Sequence, residues 1–281
     1  MIGLPGESRY ATVDGINTHY VVAGDGPPHL LFHGLGASVV TWRDNIGPLS
    51  RAFRVYALDL PGHGDSEKPD IYYAVDALVR FVVQFVESQD MDRPAIVGNS
   101  VGGALALIVA LHHPSLISGL VLVGSAGLGR EVSNYIRLAT IPGLGELLES
   151  SKVGGTRFML NNVFHDRRLV SQDLLDEIYR TREMPGAKEA VLRILRNTVG
   201  LRGVRSEYVL VDRLRNLNVP LMMVWGAQDR IVPVSHAYRA SETAPNVALR
   251  VFDECGHWPH MERADCFNSL VLEFLSDRFS S

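Results

Sequence analysis

The sequence predicts an α/β protein built on a largely parallel sheet, with a block of helices inserted late in the chain. Three observations lead there. Short apolar runs of strand length, such as His29–Phe32, Arg54–Asp59, Pro94–Val97 and Leu120–Val123, are separated by longer segments with helical apolar spacing. Between about Gly127 and Asn218 that alternation stops, and only helical segments are found. At Pro220–Trp225 the strand pattern resumes. Strands alternating with helices imply parallel pairing through right-handed crossovers. The interruption reads as an insertion between two strands of one sheet.

In order along the chain, Arg9–Asp14 and Ile16–Ala23 flank Asp14-Gly15, a hairpin-turn dipeptide. His29–Phe32 is a buried strand, and Val39–Leu49 is helical. After the Arg54–Asp59 strand comes the glycine-rich loop Leu60–Ser66. Tyr73–Ser88 carries apolar residues at Val75, Leu78, Val79, Val82, Val83 and Val86, one face of a helix. The inserted block contains helical segments at Asp173–Tyr179 and Lys188–Asn197. Beyond it follow a helix from about Ser235, a strand at Ala248–Phe252 and a terminal helix from about Ala264 to Phe279. The expected division is a core of 1–126 and 219–281 with a helical cap of 127–218.

Size and charge narrow the function. The chain has 281 residues, enough for one large domain with an insertion. Its net charge of −4 gives no sign of a nucleic-acid surface or a basic membrane patch. No apolar run reaches the ~20 residues needed to span a bilayer. Residues 1–8 lack the features of a signal peptide. Cys255 and Cys266 are the only cysteines, too few for a disulfide framework. The expectation is a cytoplasmic protein with reduced thiols, acting on a small molecule without nucleic acid or membrane; a homodimer is compatible with this.

The chemistry centres on Gly98-Asn99-Ser100-Val101-Gly102. A short apolar run precedes it and the run Ala104–Ala110 follows it, so the serine falls on a sharp strand-to-helix turn with its hydroxyl exposed. A serine hydroxyl needs a base beside it to act as a nucleophile. Asp229 and His257 each lie just past a strand end, where folds of this kind place functional groups. Alone, Asp229 reads as a turn residue and His257 as a structural histidine. In the order Ser100, Asp229, His257 they read as nucleophile, orienting acid and base. Asp253 and Asp212 are the rival acids; the first ends a strand close to His257, and the second lies at the exit of the insertion. The oxyanion site requires two N–H groups aimed at developing charge. Val101 N–H, directly after the nucleophile, and Leu35 N–H, in His33-Gly34-Leu35-Gly36, are the candidates. His33 then shapes that loop.

Other chemistry is excluded by pattern. No Walker lysine follows the Gly62–Ser66 loop, His33–Gly36 does not supply a dinucleotide fingerprint, and neither H-E-x-x-H nor Cys/His metal spacing occurs. No cofactor and no metal is expected. His260 and Glu262 read as loop-packing residues.

Together the His33–Gly36 loop, the Asp59–Ser66 loop, the Gly98–Gly103 elbow, the Gly226–Asp229 loop and Gly256–His257 resemble the α/β-hydrolase superfamily, serine branch. The resemblance spans nearly all of the chain outside the cap. It implies an eight-stranded, mostly parallel sheet with helices on both faces and a cap after the sixth strand. Two narrower likenesses are present. Asn99 and Trp258 resemble positions of the carbon–carbon hydrolases that cleave meta-ring-fission products, which also use a cap arginine for the substrate's acid end; Arg182 is the candidate, with Arg180, Arg193 and Arg196 as competitors. The segment Gly256–Glu262 resembles microbial carboxylesterases, and the plain His33–Ser38 loop lacks the fuller glycine-rich form of the carbon–carbon hydrolases. The residues thus favour a serine carboxylic-ester hydrolase with an acyl-enzyme. A carbon–carbon hydrolase of a ring-fission dienoate is the alternative, and a hydrolase-like ligand receptor is the non-enzymatic one.

Overall fold

Asp14 and Gly15 both take positive φ, 49° and 76°, which lets a two-residue turn join the first two strands. Those strands are β1 (Glu7–Val13) and β2 (Ile16–Ala23). They belong to a computed structural model that describes residues 3–150, 155–244 and 247–276. The remaining strands of the main sheet are β3 (Pro28–Phe32), β4 (Arg54–Leu58), β5 (Ala95–Asn99), β6 (Gly119–Val123), β9 (Leu221–Gly226) and β10 (Ala248–Phe252). Their spatial order is β1-β2-β4-β3-β5-β6-β9-β10. The β1–β2 and β2–β4 pairs are antiparallel and every later pair is parallel, so the expected eight-stranded, mostly parallel sheet is present.

The continuous apolar runs have a direct cause. Strand residues alternate between the two faces, and both faces are covered. Leu30, Phe32, Ile96, Leu120, Leu122, Met223 and Trp225 enter one core with helices α2 (Val75–Ser88), α3 (Val101–His112) and α9 (Ser235–Thr243). Their neighbours Leu31, Ala95, Val97, Val121, Val123, Met222 and Val224 enter a second core with α1 (Arg43–Leu49) and α11 (Ala264–Ser276). The expected Val39–Leu49 helix begins as a 3-10 turn at Val39–Trp42, and residues 277–279 of the expected terminal helix lie outside the described residues.

Between β6 and β9 the chain forms α4 (Asn134–Leu138), α5 (Leu144–Leu148), α6 (Gly155–Val163), α7 (Gln172–Arg182) and α8 (Ala187–Thr198). One expectation needs correcting here. The inserted segment is not free of strands: β7 (Val199–Gly200) and β8 (Gly203–Val204) pair antiparallel. Two-residue strands carry no periodicity from which to read them. The short helix α10 (Pro259–Glu262) precedes α11.

Asp59, just past β4, ties the antiparallel edge to this core. Its buried carboxylate accepts from Val39 N–H and Asp65 N–H, both at 2.8 Å, and pairs with His19 Nδ1 at 2.7 Å. Removing it strands two buried donors and the imidazole. Asp59→Ala is expected to lower unfolding free energy by about 3 kcal/mol, read from the urea midpoint at constant slope. Cys255 is buried and Cys266 exposed, so an aromatic disulfide reagent should titrate Cys266 promptly in the native protein and Cys255 only after denaturation.

Candidate active site

The turn at the end of β5 sets the site. Ser100 has φ 54° and ψ −118°, a strained conformation for a residue with a side chain. Ser100 N–H donates to Val123 O at 2.9 Å, and Ser100 O accepts from Ala104 N–H at 3.1 Å and Ala126 N–H at 3.0 Å. The flanking glycines are steric necessities. A Cβ on Gly98 would lie 2.5 Å from Gly102 O, and one on Gly102 would lie 2.5 Å from His33 O. Val101 opens α3, so its N–H is among those with no intrahelical acceptor. Leu35 N–H meets no acceptor among the described residues. Both residues line the cavity that Ser100 also lines, as an oxyanion site requires.

Asp229 and His257 meet as their positions in the sequence predict. His257 Nδ1 lies 2.7 Å from Asp229 Oδ2, with both side chains buried. Asp229 Oδ1 accepts from Ile231 N–H at 2.8 Å and Val232 N–H at 2.9 Å, which fixes the orientation of the carboxylate. An aspartate facing Nδ1 leaves the proton there and Nε2 free as a base. Ser100 Oγ and His257 are not hydrogen-bonded in this structure; such contacts commonly tighten only as substrate binds. The rival acids are elsewhere: Asp253 bonds Gln228 on the surface, and Asp212 sits in a 3-10 turn at the exit of the insertion.

Around the oxyanion loop, His33 Nδ1–H donates to Gly34 O at 2.8 Å and Nε2 accepts from Leu60 N–H at 3.0 Å. Burial pushes its pKa down, so the ring is a neutral brace. The same cause takes His63 and His260 to about 3. The cavity beside Ser100 measures about 90 Å³ and is walled by Leu78, Leu105, Ile108, Val132, Ile136, Ile194, Leu195 and Val232, with no charged side chain among its lining residues.

Three candidate substrate contacts fall in other places. Asn99 Nδ2 is spent on Val123 O at 3.0 Å and His257 O at 3.3 Å, so this residue braces the triad loops rather than facing the cavity. Trp258 is buried edge-on against Phe164, at 5.4 Å between ring centroids, and is a packing residue. Arg182 does reach the oxyanion loop, where Nη1 donates to Gly36 O at 3.2 Å, but its Nη2 is paired with Glu149 and it does not line the cavity. Arg180 forks onto Asp65 at 2.7 and 2.8 Å, Arg193 pairs with Asp70, and Arg196 pairs with Glu146 at 2.9 Å.

The sequence reading did not find two further participants. Gly124, φ 50°, follows β6 and passes so close that a Cβ there would sit 3.1 Å from His257 Nδ1 and 3.3 Å from Asp229 Oδ2. A glycine directly after an apolar strand was its only signal. Glu149 follows α5 and is legible only through its partner. A cluster of His19, Asp59 and Asp65 places potential metal-ligand atoms within 4.8 Å of one another. Its oxygens are already engaged, Asp59 as described above and Asp65 by Arg180.

The sequence profile of the α/β hydrolase fold matches residues 27–264. The chain belongs to the α/β hydrolase fold family. A hydrolase of 2-hydroxy-6-oxo-6-(2'-aminophenyl)hexa-2,4-dienoic acid from Metapseudomonas resinovorans is 33% identical over 279 residues, 96% of this chain and 91% of that protein. The dihydrolipoyllysine-residue acetyltransferase component of the acetoin cleaving system of Cupriavidus necator is 32% identical over 269 residues, 95% of this chain and 68% of that protein. Among solved structures, a serine hydrolase involved in carbazole degradation (CarC) superposes with a TM-score of 0.83 at 29% identity, covering 97% of this chain and 99% of that one. No helix among the described residues is long and apolar enough to cross a membrane.

For this α/β hydrolase, Asp229→Asn keeps the oxygen facing Ile231 and Val232 but presents an amide N–H to Nδ1, favouring the wrong tautomer. It should fold normally and lose turnover on the order of 10⁴-fold, measured as kcat. Gly124→Ala combines a positive φ with a Cβ against the imidazole, and should lower kcat more than it raises KM.

Proposed function

We propose that this chain is a serine hydrolase that cleaves a carbon–carbon bond in a ring-fission dienoate carrying an apolar group. In this reading Ser100 is the nucleophile, His257 the base and Asp229 its orienting acid, with residues 127–218 acting as the cap. The observation that carries it is the likeness, over almost the whole chain, to the Metapseudomonas resinovorans dienoic acid hydrolase. Arg182 supports it: a buried guanidinium lies against Gly36 of the oxyanion loop, and its Nε has no partner among the described residues. The apolar cavity suits the substituent of such a substrate.

The chemistry follows from the arrangement. As Ser100 Oγ adds to the keto carbonyl, its proton passes to His257 Nε2, and the carbonyl oxygen becomes an oxyanion facing Leu35 and Val101 N–H. Before this addition the 2-hydroxydienoate tautomerises, its enol proton moving to the carbon beside the keto group, so that the bond to be broken joins the carbonyl to a saturated carbon. Collapse of the Ser100 adduct breaks this bond, the released electron pair is delocalised as a conjugated dienolate, and that dienolate takes the proton from His257. Water, deprotonated by His257, then hydrolyses the Ser100 ester and frees the acid.

One observation favours an ester as substrate instead: the cavity lining contains no charged residue to meet a carboxylate. A panel of one ring-fission dienoate and p-nitrophenyl esters of graded length separates the two readings. Faster loss of the dienoate's visible absorbance than of any ester, with both abolished in Ser100→Ala, is the expected outcome. Preference for an ester would move the assignment to a carboxylesterase, and persistent turnover in Ser100→Ala would end both. Arg182→Ala should lower kcat/KM for the dienoate by roughly tenfold or more while sparing neutral esters, the size of one lost charge-assisted hydrogen bond.

A further inference from the structure

The loop that carries His257 is not held by the sheet alone. His257 N–H donates to Val163 O at 2.7 Å, at the end of α6 in the inserted segment. The neighbouring Gly256 N–H donates to Glu262 Oε1 at 2.7 Å. The other oxygen of the same carboxylate, Oε2, accepts from His165 N–H at 2.8 Å and Asp166 N–H at 3.2 Å, both in the segment leaving α6. One buried carboxylate therefore grips the histidine loop with one oxygen and the inserted segment with the other. The fit is close: a Cβ on Gly256 would lie 2.3 Å from Val163 O and 2.7 Å from His165 N.

We propose that Glu262 is a positioning residue that registers the inserted segment on the catalytic histidine, so that the placement of His257 over Ser100 depends on how this segment is seated. The inference rests on the triad reading above. It explains why a carboxylate is retained at a site only 9% exposed, where burial penalises its charge. All of its protein partners are backbone N–H groups or, at 4.0 Å, the Cys255 thiol; none is a cation. An acceptor on both oxygens is what the joint requires, and only an ionised carboxylate supplies it. Glutamine has the same shape but one acceptor oxygen, so one side of the joint must face an amide N–H₂.

The test compares the wild type with Glu262→Gln and Glu262→Asp in the full chain, using p-nitrophenyl acetate for kcat and KM and a fluorophosphonate for the rate of Ser100 labelling. Displacing a catalytic group by a fraction of an ångström to an ångström costs on the order of 10²-fold. In E262Q, kcat and labelling rate should both fall by about that factor, with KM little changed and the acid limb of the kcat/KM profile displaced. E262D keeps the charge on a shorter arm and should recover part of the loss. A purely structural role would lower the melting temperature and leave kcat at assay temperature intact, which would overturn the proposal. If E262Q is recovered unfolded, E262D decides: wild-type kcat and labelling in that variant also overturn it. The triad reading fails separately, if Ser100→Ala still turns over or Ser100 takes no label in the wild type.

Discussion

The backbone at Ser100 is the constraint on which the site depends. A serine held at φ 54° forfeits roughly 1–3 kcal/mol relative to a relaxed conformation. The surrounding structure restores it through β6, whose Val123 carbonyl receives Ser100 N–H, and through Ala104 and Ala126, which close on Ser100 O. Because the turn is this tight, three consecutive residues face three ways. The serine hydroxyl faces the cavity, Val101 N–H is left at the start of a helix, and Asn99 points the other way into the loops of β6 and His257. The bracing role of Asn99 is a consequence of the same strained angle.

Charge is distributed around this turn so that one imidazole stands apart. His33, His63 and His260 are buried without a carboxylate partner and are held neutral by desolvation. His257 has Asp229. His19 offers an instructive contrast, since Ser8 Oγ, His19 and Asp59 Oδ2 form a chain with separations of 2.9 and 2.7 Å. The residue types match those of the candidate active site, yet Ser8 is an exposed residue near the start of an edge strand, without a strained turn or a helix N-terminus behind it. Residue identity and spacing do not make a nucleophile; backbone setting does.

Much of the core could be read from sequence because its strands are buried on both faces and so appear as unbroken apolar runs, as at Leu30–Phe32 and Leu221–Trp225. Ser100 and Asp229 were legible because each closely follows such a run, and His257 because it follows the half-buried edge strand β10 within five residues. The inserted segment was only half legible. Its α7 and α8 have helical spacing, whereas β7 and β8 are too short to show any pattern. The partners of Arg182, Asn99 and Trp258 were not legible for one physical reason: a side chain's partner is set by tertiary approach. Glu149 lies 33 residues from Arg182, and the His257 carbonyl lies 158 residues from Asn99. Glu262 was read only as a loop-packing residue, because two of the donors it serves, His165 and Asp166 N–H, come from nearly a hundred residues earlier in the chain.

The separation of Ser100, Asp229 and His257 along the chain has a consequence for biosynthesis. The hairpin and the first parallel strands complete the serine turn's surroundings only when β6 is in place, and the acid and base arrive with the last quarter of the chain. If Ser100 and His257 act as proposed, a ribosome-bound chain that ends before residue 257 has the serine turn without its base. Long-range pairing of this kind also folds slowly. On the proposed assignment, activity appears only after residue 257 has been made, and it reports completion of the whole sheet rather than of any local part of it.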